Sequence, residues 1–426
     1  MRVRCVWMVA MTLLCLPVWA DDASRPPGGE KGDSPHLCEA PFGPSRQMGT
    51  VPFFPDGPKP KPIEPPTTET VEQTIRRGVE FLLKRQNKDG SWGSANSTRP
   101  SEVTAPIPGA HHAFRAAVTS LCISALIETG GSSAEVSQAI DRGEAWLFVY
   151  LPKVRRATPE VFYNTWAHCY SIQALVRMLG RRPDDAARCK RIRELIEGQI
   201  GMLGRYEVVD GGWAYYDFNA HTQKPSGSTI SFVTATALVA LYEARQVGIA
   251  APKRLTDRAI ASILRQRKPD FSYYYGEYTQ WRPMRPVNRP AGSLGRSQAC
   301  NVALRLWGDD KVTDAVLKTW LDRLFARNGW LDIGRKRPIP HEAWFQVAGY
   351  FFYYGHYYAG LCIEQFPESE RGPYQDRLAQ VLVHLQEKDG SWWDFPLYDY
   401  HQQYGAALAL MSLHRCVKIG RSASGR

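Results

Sequence analysis

One stretch of this chain is written twice. Arg77-Gly78-Val-Glu-Phe81-Leu82-Leu-Lys-Arg-Gln86-Asn-Lys-Asp89-Gly90-Ser91-Trp92 returns as Arg377-Leu-Ala-Gln-Val381-Leu382-Val-His-Leu-Gln386-Glu-Lys-Asp389-Gly390-Ser391-Trp392. Partial copies lie between. Arg142-Gly143-Glu-Ala-Trp146-Leu147 repeats the opening, and Gly211-Gly212-Trp213 and Asn328-Gly329-Trp330 repeat the ending. The tryptophan positions fit a unit of about 60 residues, and a period of that size marks a repeat array rather than unrelated domains. With 426 residues, the chain is also longer than one ordinary core supports.

Each unit reads as helix, Gly/aromatic loop, helix. Val71, Ile75, Val79, Leu82 and Leu83 recur at helical spacing before Asp89-Gly90 stops the helix. The second helix, about 113–129, is apolar nearly all round and is therefore expected to be buried on most sides. Later pairs are expected at 134–151 with 164–179, 185–203 with 229–247 and 255–267 with 294–307. The last two are 312–327 with 341–364 and 372–386 with 400–416. Six amphipathic helices thus alternate with six more apolar ones. The first and last units carry the best copies of the motif, so they do not cap an open array. The expected fold is all-α, an (α/α)6 toroid of six helical hairpins over residues 67–420, with a short tail at 421–426.

Ahead of the toroid, Arg2 and Arg4, an apolar run from Val6 to Leu16 and Val18-Trp19-Ala20 form the pattern of a secretory signal peptide over residues 1–20. Export, to periplasm or exterior, is the expectation. Residues 21–66 form a proline-rich tether, with twelve of the thirty prolines between 25 and 66. No stretch after the first twenty residues reaches about 18 uninterrupted apolar residues, so no transmembrane helix is expected. Seven cysteines follow residue 20, an odd number that cannot all pair within one chain. The formal net charge of +11 is spread in short clusters such as Arg335-Lys336-Arg337, and no nucleic-acid module is present, so nucleic acid is not an expected partner.

The motif is expected to be structural. Gln86 and Gln386 supply amide donors near helix ends, Gly90 and Gly390 permit the terminating conformation, and Trp92 and Trp392 lay a ring over the adjoining hairpin. The run Arg77-Gly78-x-x-Phe81-Leu82-x-x-x-Gln86-x-x-x-Gly90-x-Trp92 resembles the QW motif of the prenyltransferase/squalene-cyclase repeat superfamily, and the copy at 377–392 departs from it at Leu378 and Val381. The resemblance implies an α/α toroid related to squalene–hopene-type cyclases and protein prenyltransferase β-subunits. The cyclases' Asp-x-Asp-Asp acid is not found here. Asp399-Tyr400-His401-Gln-Gln-Tyr404 is similar to the β-subunit segment whose His binds zinc, with His401 at that position. His341-Glu342-Ala343 stands where the family's Asp-x-Cys pair is expected. No metal and no cofactor are expected.

In a closed ring the starts of the inner helices converge at one mouth. They carry His111-His112, Asn164 with His168, Thr229, Arg296-Ser297-Gln298, His341-Glu342 and Asp399 with His401. His341, Glu342, Asp399 and His401 are the candidate catalytic groups, since imidazoles and carboxylates gathered there suit acid/base work. Asp394 is a further carboxylate close by in sequence. Trp213, Tyr215, Trp344 and Tyr350 are the candidate ligand-binding rings. The expected ligand is apolar, of isoprenoid type, because ring faces suit hydrocarbon and stabilise positive charge. A glycan acted on by a lyase or hydrolase, and a non-catalytic interaction scaffold, are the alternatives.

Overall fold

A computed structural model describes residues 57–99, 108–217 and 224–417. The expected signal peptide, the tether up to residue 56 and the tail at 421–426 lie outside the described residues. Six inner helices run parallel: α2 Pro108–Thr129, α4 Asn164–Leu179, α6 Ser231–Gln246, α8 Leu294–Leu306, α11 Phe351–Glu364 and α13 His401–His414. Six outer ones precede them: α1 Thr68–Lys84, α3 Ala134–Tyr150, α5 Ala186–Arg205, α7 Lys253–Gln266, α9 Asp314–Ala326 and α12 Glu368–His384. The short α10, Asn328–Ile333, is an addition. Inner helices pack in chain order, and α13 packs against α2, which closes the ring. Each outer helix covers the inner helix before it, and α1 covers α13. The fold is the (α/α)6 toroid.

Residue pattern accounts for the two layers. On α1, Val71, Ile75, Val79 and Leu82 are buried while Glu72, Gln73, Arg76 and Glu80 face solvent, and the Thr67 side chain caps the helix by accepting from Thr70 N at 3.1 Å. On α6, by contrast, every residue from Ser231 to Leu241 is buried. Residues 57–66 run along the outside: Lys59 Nζ pairs with Asp322 at 2.7 Å, and Arg377 Nη1 donates to Lys61 O at 2.6 Å.

The repeated motif builds the same joint at Trp92, Trp213 and Trp392. The indole N–H of Trp92, Trp213 and Trp392 donates at 2.8 Å to the carbonyl ten residues earlier, on Leu82, Leu203 and Leu382. Gln86 Nε2 donates to Gly90 O at 2.9 Å and to Ala139 O of the next outer helix at 2.8 Å. Gln386 does the same toward Gly390 and Thr74, at 3.1 and 2.9 Å, so the last unit is stitched to the first. The glutamines therefore bond to the following outer helix, not only to their own helix end. The Arg-Gly opening is the socket for the ring before it. A Cβ on Gly143 would lie 3.0 Å from the Trp92 ring, and one on Gly78 would lie 2.8 Å from Trp392.

Two copies differ from expectation. Asn328-Gly329-Trp330 is not a joint: it forms α10, and Trp330 is 42% exposed. The unrecognised copy is Asp270-Phe271-Ser272-Tyr273. Its loop closes on Lys268 N donating to Ser272 O at 2.8 Å, as Asn87 N does to Ser91 O and Glu387 N to Ser391 O. Phe271 takes the left-handed conformation (φ 58°) that glycine has in the other copies, and Tyr273 is fully buried in the tryptophan position. The inner helix expected from residue 341 begins instead at Phe351; 341–350 is an irregular loop with His341 and Gln346 at positive φ.

A belt of alternating charge seals the end where the inner helices finish. Arg177 reaches Glu128 at 2.7 Å and Glu243 at 2.6 Å, and Arg415 reaches Glu128 at 2.8 Å and Glu364 at 3.2 Å. These five residues come from α2, α4, α6, α11 and the cap of α13. Burial alone would raise the Glu128 carboxyl, but Arg415 and Arg177 outweigh it and hold its pKa at about 2 against 4.5. A depressed folded pKa contributes stability above the unfolded value and loses it as pH falls. Unfolding free energy should therefore drop by about 3 kcal/mol as pH falls from about 4.5 to about 2. Urea titrations at a series of pH values, with a Glu128→Gln variant lacking this component of the slope, check it.

Candidate functional site

The opposite end is where outer-helix loops feed the N-termini of the inner helices. The joint itself decides what lines it. Two positions after each buried aromatic ring, every joint places one residue at this end. Those residues are Ser94, Tyr215, Tyr275 and Asp394, following Trp92, Trp213, Tyr273 and Trp392. Three of them form the polar parts of an aromatic funnel.

Its wall and floor are rings. Trp166 on α4 lies 6.4 Å from Tyr215, 6.0 Å from Phe232 on α6 and 6.4 Å from Tyr354 on α11, centroid to centroid. Phe232 meets Phe351 edge-on at 4.8 Å and Tyr275 at 5.3 Å. Tyr354 crosses to α6, where its hydroxyl donates to Phe232 O at 2.9 Å, and Tyr358 donates to Thr236 Oγ1 at 2.9 Å. Rings from α4, α6 and α11 thus meet across the axis and close the funnel below. Trp166, Tyr215, Tyr350 and Tyr404 keep partial exposure above that floor. Gly295 on α8 allows the close approach of α11, since a Cβ there would lie 2.8 Å from Phe351 O.

A chain of phenols leads to a histidine. Tyr215 and Tyr275 share a short hydrogen bond, Tyr275 meets Tyr350 at 3.2 Å, and Tyr350 meets His341 Nε2 at 3.3 Å. His341 Nδ1 lies 2.5 Å from Gln346 O. A carbonyl only accepts, so Nδ1 carries the proton and Nε2 is the acceptor. Tyr350 then donates to His341, Tyr275 to Tyr350, and Tyr215 to Tyr275. The free lone pairs at the far end are those of Tyr215. Burial lowers the His341 pKa, and Arg296 and Arg285 push the same way, so the ring is neutral near pH 7. Burial likewise raises the phenols of Tyr215, Tyr275 and Tyr350.

Asp394 holds the other titratable position. Its side chain is buried, at 1% exposure, and Oδ2 accepts from Tyr353 N at 3.0 Å, in the first turn of α11. A carboxylate at a helix N-terminus ordinarily has a depressed pKa. Here desolvation outweighs that N–H and the nearby Arg335, and the carboxyl is pushed up to about 7. Asp394 is near enough to Tyr404 to raise its phenol in turn. Phe395 packs edge-on against Tyr350 at 5.5 Å, so the loop of Asp394 and the phenol chain share one ring.

By their partners, the residues singled out from sequence fall into groups. His341, Tyr350 and Tyr215 come together in the phenol chain. Glu342 is exposed and pairs with Arg337 at 3.5 Å. Asp399 forms an ion pair with Arg85 and accepts from Ser94 Oγ at 3.2 Å, tying the end of α1 to the last loop. His401 is buried, with Nδ1 on Tyr398 O and its ring edge-on to Trp393 at 5.3 Å. Trp213 is fully buried within the wall, its N–H already used, and Trp344 is 73% exposed.

Much of the expected polar ring is wall structure. His168 lies between Asn164 and Gln199, at 3.2 and 2.6 Å, and burial lowers its pKa to about 4. Arg296 donates to the carbonyls of Tyr273 and Gly292 and staples that loop. Among the described residues no three His, Cys, Asp or Glu side chains gather closely enough to hold a metal ion. Asp394, read from sequence only as a further carboxylate close by, lies two positions on from the motif residue Trp392, whereas Tyr275 follows Tyr273, which the motif did not reveal.

No family model matches the chain. Among solved structures, it is similar to an inactive variant of the α-1,6-mannanase GH76A from Salegentibacter sp. in complex with α-1,6-mannotetrose. That match has 10% identity and a TM-score of 0.53, covering 82% of this chain and 99% of that one. It is also similar to the unsaturated glucuronyl hydrolase from a Bacillus species, responsible for degradation of glycosaminoglycan. Here identity is 12% and the TM-score 0.54, covering 82% and 96%. A type II terpene cyclase from Scytonema matches at 14% identity with a TM-score of 0.48, covering 83% and 99%. The first two likenesses show the toroid fold.

Proposed function

We propose that the protein is an exported toroid of the QW-motif repeat class that takes an apolar, isoprenoid-type ligand into the aromatic funnel and carries out proton transfer on it. Asp394 is the acid. His341, acting through Tyr350, Tyr275 and Tyr215, is the base. The observation that carries this reading is the buried Asp394 carboxyl, on Tyr353 N at 3.0 Å and close to Tyr404, where burial pushes its pKa up to about 7. A proton donor of that kind starts chemistry on an alkene or an allylic oxygen, and surrounding rings stabilise the cation that follows. Asp399 and His401 act as positioning residues: Asp399 anchors the last loop through Arg85, and His401 supports Trp393, next to Asp394. Glu342 is assigned no step.

A glycan ligand is the second reading, supported by the row of phenol hydroxyls, which suits sugar hydroxyls, and by the saccharide in the mannanase complex named above. Titration of intrinsic tryptophan fluorescence separates the two. Long-chain prenols or terpene hydrocarbons in mild detergent should quench saturably, with affinity lowered roughly tenfold in Trp166→Ala, since one ring stack is worth about 1 kcal/mol or more. Saturable binding of manno- or uronic oligosaccharides with no response to prenols would replace the first reading with the second.

A further inference from the structure

Exposed large apolar side chains are concentrated in two segments of this protein. Tyr278, Trp281 and Met284 lie in one, and Trp330, Ile333, Ile339 and Trp344 in the other. Trp281 is 90% exposed, Met284 70% and Ile339 56%. The first segment leads into α8 and the second into α11, which pack side by side in the inner ring. They also meet at the funnel: Tyr275 lies 6.4 Å from Tyr278 and 5.2 Å from His341, and the Arg285 charge is felt at both Tyr278 and His341. So the apolar groups stand on one sector of the rim, next to Tyr275 and His341.

Cations are interleaved with them. Arg282, Arg285 and Arg289 follow Trp281 and Met284 at close spacing, and none has a carboxylate partner among the described residues. Arg282 and Arg289 are exposed. Prolines at 283, 286 and 290 stiffen the loop, so it can present Trp281 and Met284 with little loss of conformational freedom.

A water-soluble surface rarely leaves such groups uncovered together. We infer that this sector of the rim docks on an anionic lipid bilayer, with Trp281, Met284, Ile339 and Trp344 entering the interface and the three arginines pairing with headgroup phosphates. Indole and thioether groups beside guanidinium groups that no carboxylate neutralises are the chemistry of an interfacial anchor, although Arg289 Nε also donates to Met284 O at 3.0 Å. The aliphatic Met284 and Ile339 favour hydrocarbon over a sugar face. These arginines, without carboxylate partners among the described residues, favour an anionic surface over a second copy of this basic chain. Docking there turns the funnel mouth toward the bilayer, the phase in which an apolar ligand is dissolved. That consequence rests on the proposed function, but the docking does not.

The test is sedimentation of the protein with vesicles of phosphatidylcholine alone and of phosphatidylcholine with phosphatidylglycerol. Wild type should sediment with the anionic vesicles and be released by salt. Trp281→Ala combined with Met284→Ser should weaken partition at least tenfold. Arg282→Ser with Arg289→Ser should remove most of the preference for phosphatidylglycerol, roughly fivefold per arginine. Unchanged melting of these surface variants shows that folding is not the cause. No sedimentation of folded wild type would overturn the inference. So would a concentration-dependent dimer in sedimentation velocity that Trp281→Ala abolishes, which assigns the patch to self-association. Lipid binding without any response to prenols would sink the proposed function and leave the docking standing.

Discussion

Trp392→Ala should lower unfolding free energy by about 3–5 kcal/mol, the cost of emptying a buried aromatic site. The ring is fully buried between α1 and α13, 2.8 Å from where a Cβ on Gly78 would stand, and its N–H is satisfied at 2.8 Å by Leu382 O. Removing the indole therefore leaves a cavity and a carbonyl without its donor. It also acts at the closure of the ring, because Gln386 and Trp392 are among the links from the last unit to the first. Gly78→Val alone should destabilise by overpacking, by about 1–3 kcal/mol. In the Trp392→Ala background the added methyls enter the vacated space, so the two changes should cost less together than their separate sum. Urea unfolding of the four proteins measures this. Strict additivity would show that Gly78 is not the socket of Trp392.

The same joints mark how far the sequence could be read. Trp92, Trp213 and Trp392 were legible because glycine marks the left-handed residue just before each and a tryptophan fills each site. Tyr273 was hidden, since Phe271 holds the positive φ without being glycine and tyrosine replaces the indole. Trp330 misled for the opposite reason: Asn-Gly-Trp has the right letters, but the backbone there stays helical. The start of α11 was misplaced by the polar pair His341-Glu342, which reads as a helix start. Only the three-dimensional fold puts His341 at φ 63° and brings its Nε2 to Tyr350. The pKa of Asp394 was equally out of reach, because its burial against Tyr353 of α11 and beside Arg335 depends on residues about 40 to 60 positions away. A carboxylate in a loop reads as a solvated one until its neighbours are known.

Asp394→Asn should have two effects of opposite sign. The folded pKa of about 7 lies above the model-peptide value of 3.8. The contribution to stability is therefore complete below about pH 3.8. It falls as the unfolded chain ionises, and is lost as pH rises through about 7. The wild-type loss over that range is about 4 kcal/mol. Asparagine does not ionise and still accepts from Tyr353 N, so the variant should melt higher than wild type at about pH 8 and show a flatter pH dependence. It cannot give up a proton, so turnover of any prenyl substrate should fall by at least about a hundredfold. A gain in stability paired with loss of chemistry is the mark of a strained functional group rather than of a helix cap.

Difference infrared titration of wild type against Asp394→Asn reads that carboxyl directly. The protonated-carboxyl band assigned to Asp394 should persist at about pH 5 and fade with a midpoint near 7. A band that is gone by about pH 5, with a midpoint near that of a solvated aspartate, would make Asp394 an ionised cap of α11 and remove the acid from the proposed chemistry.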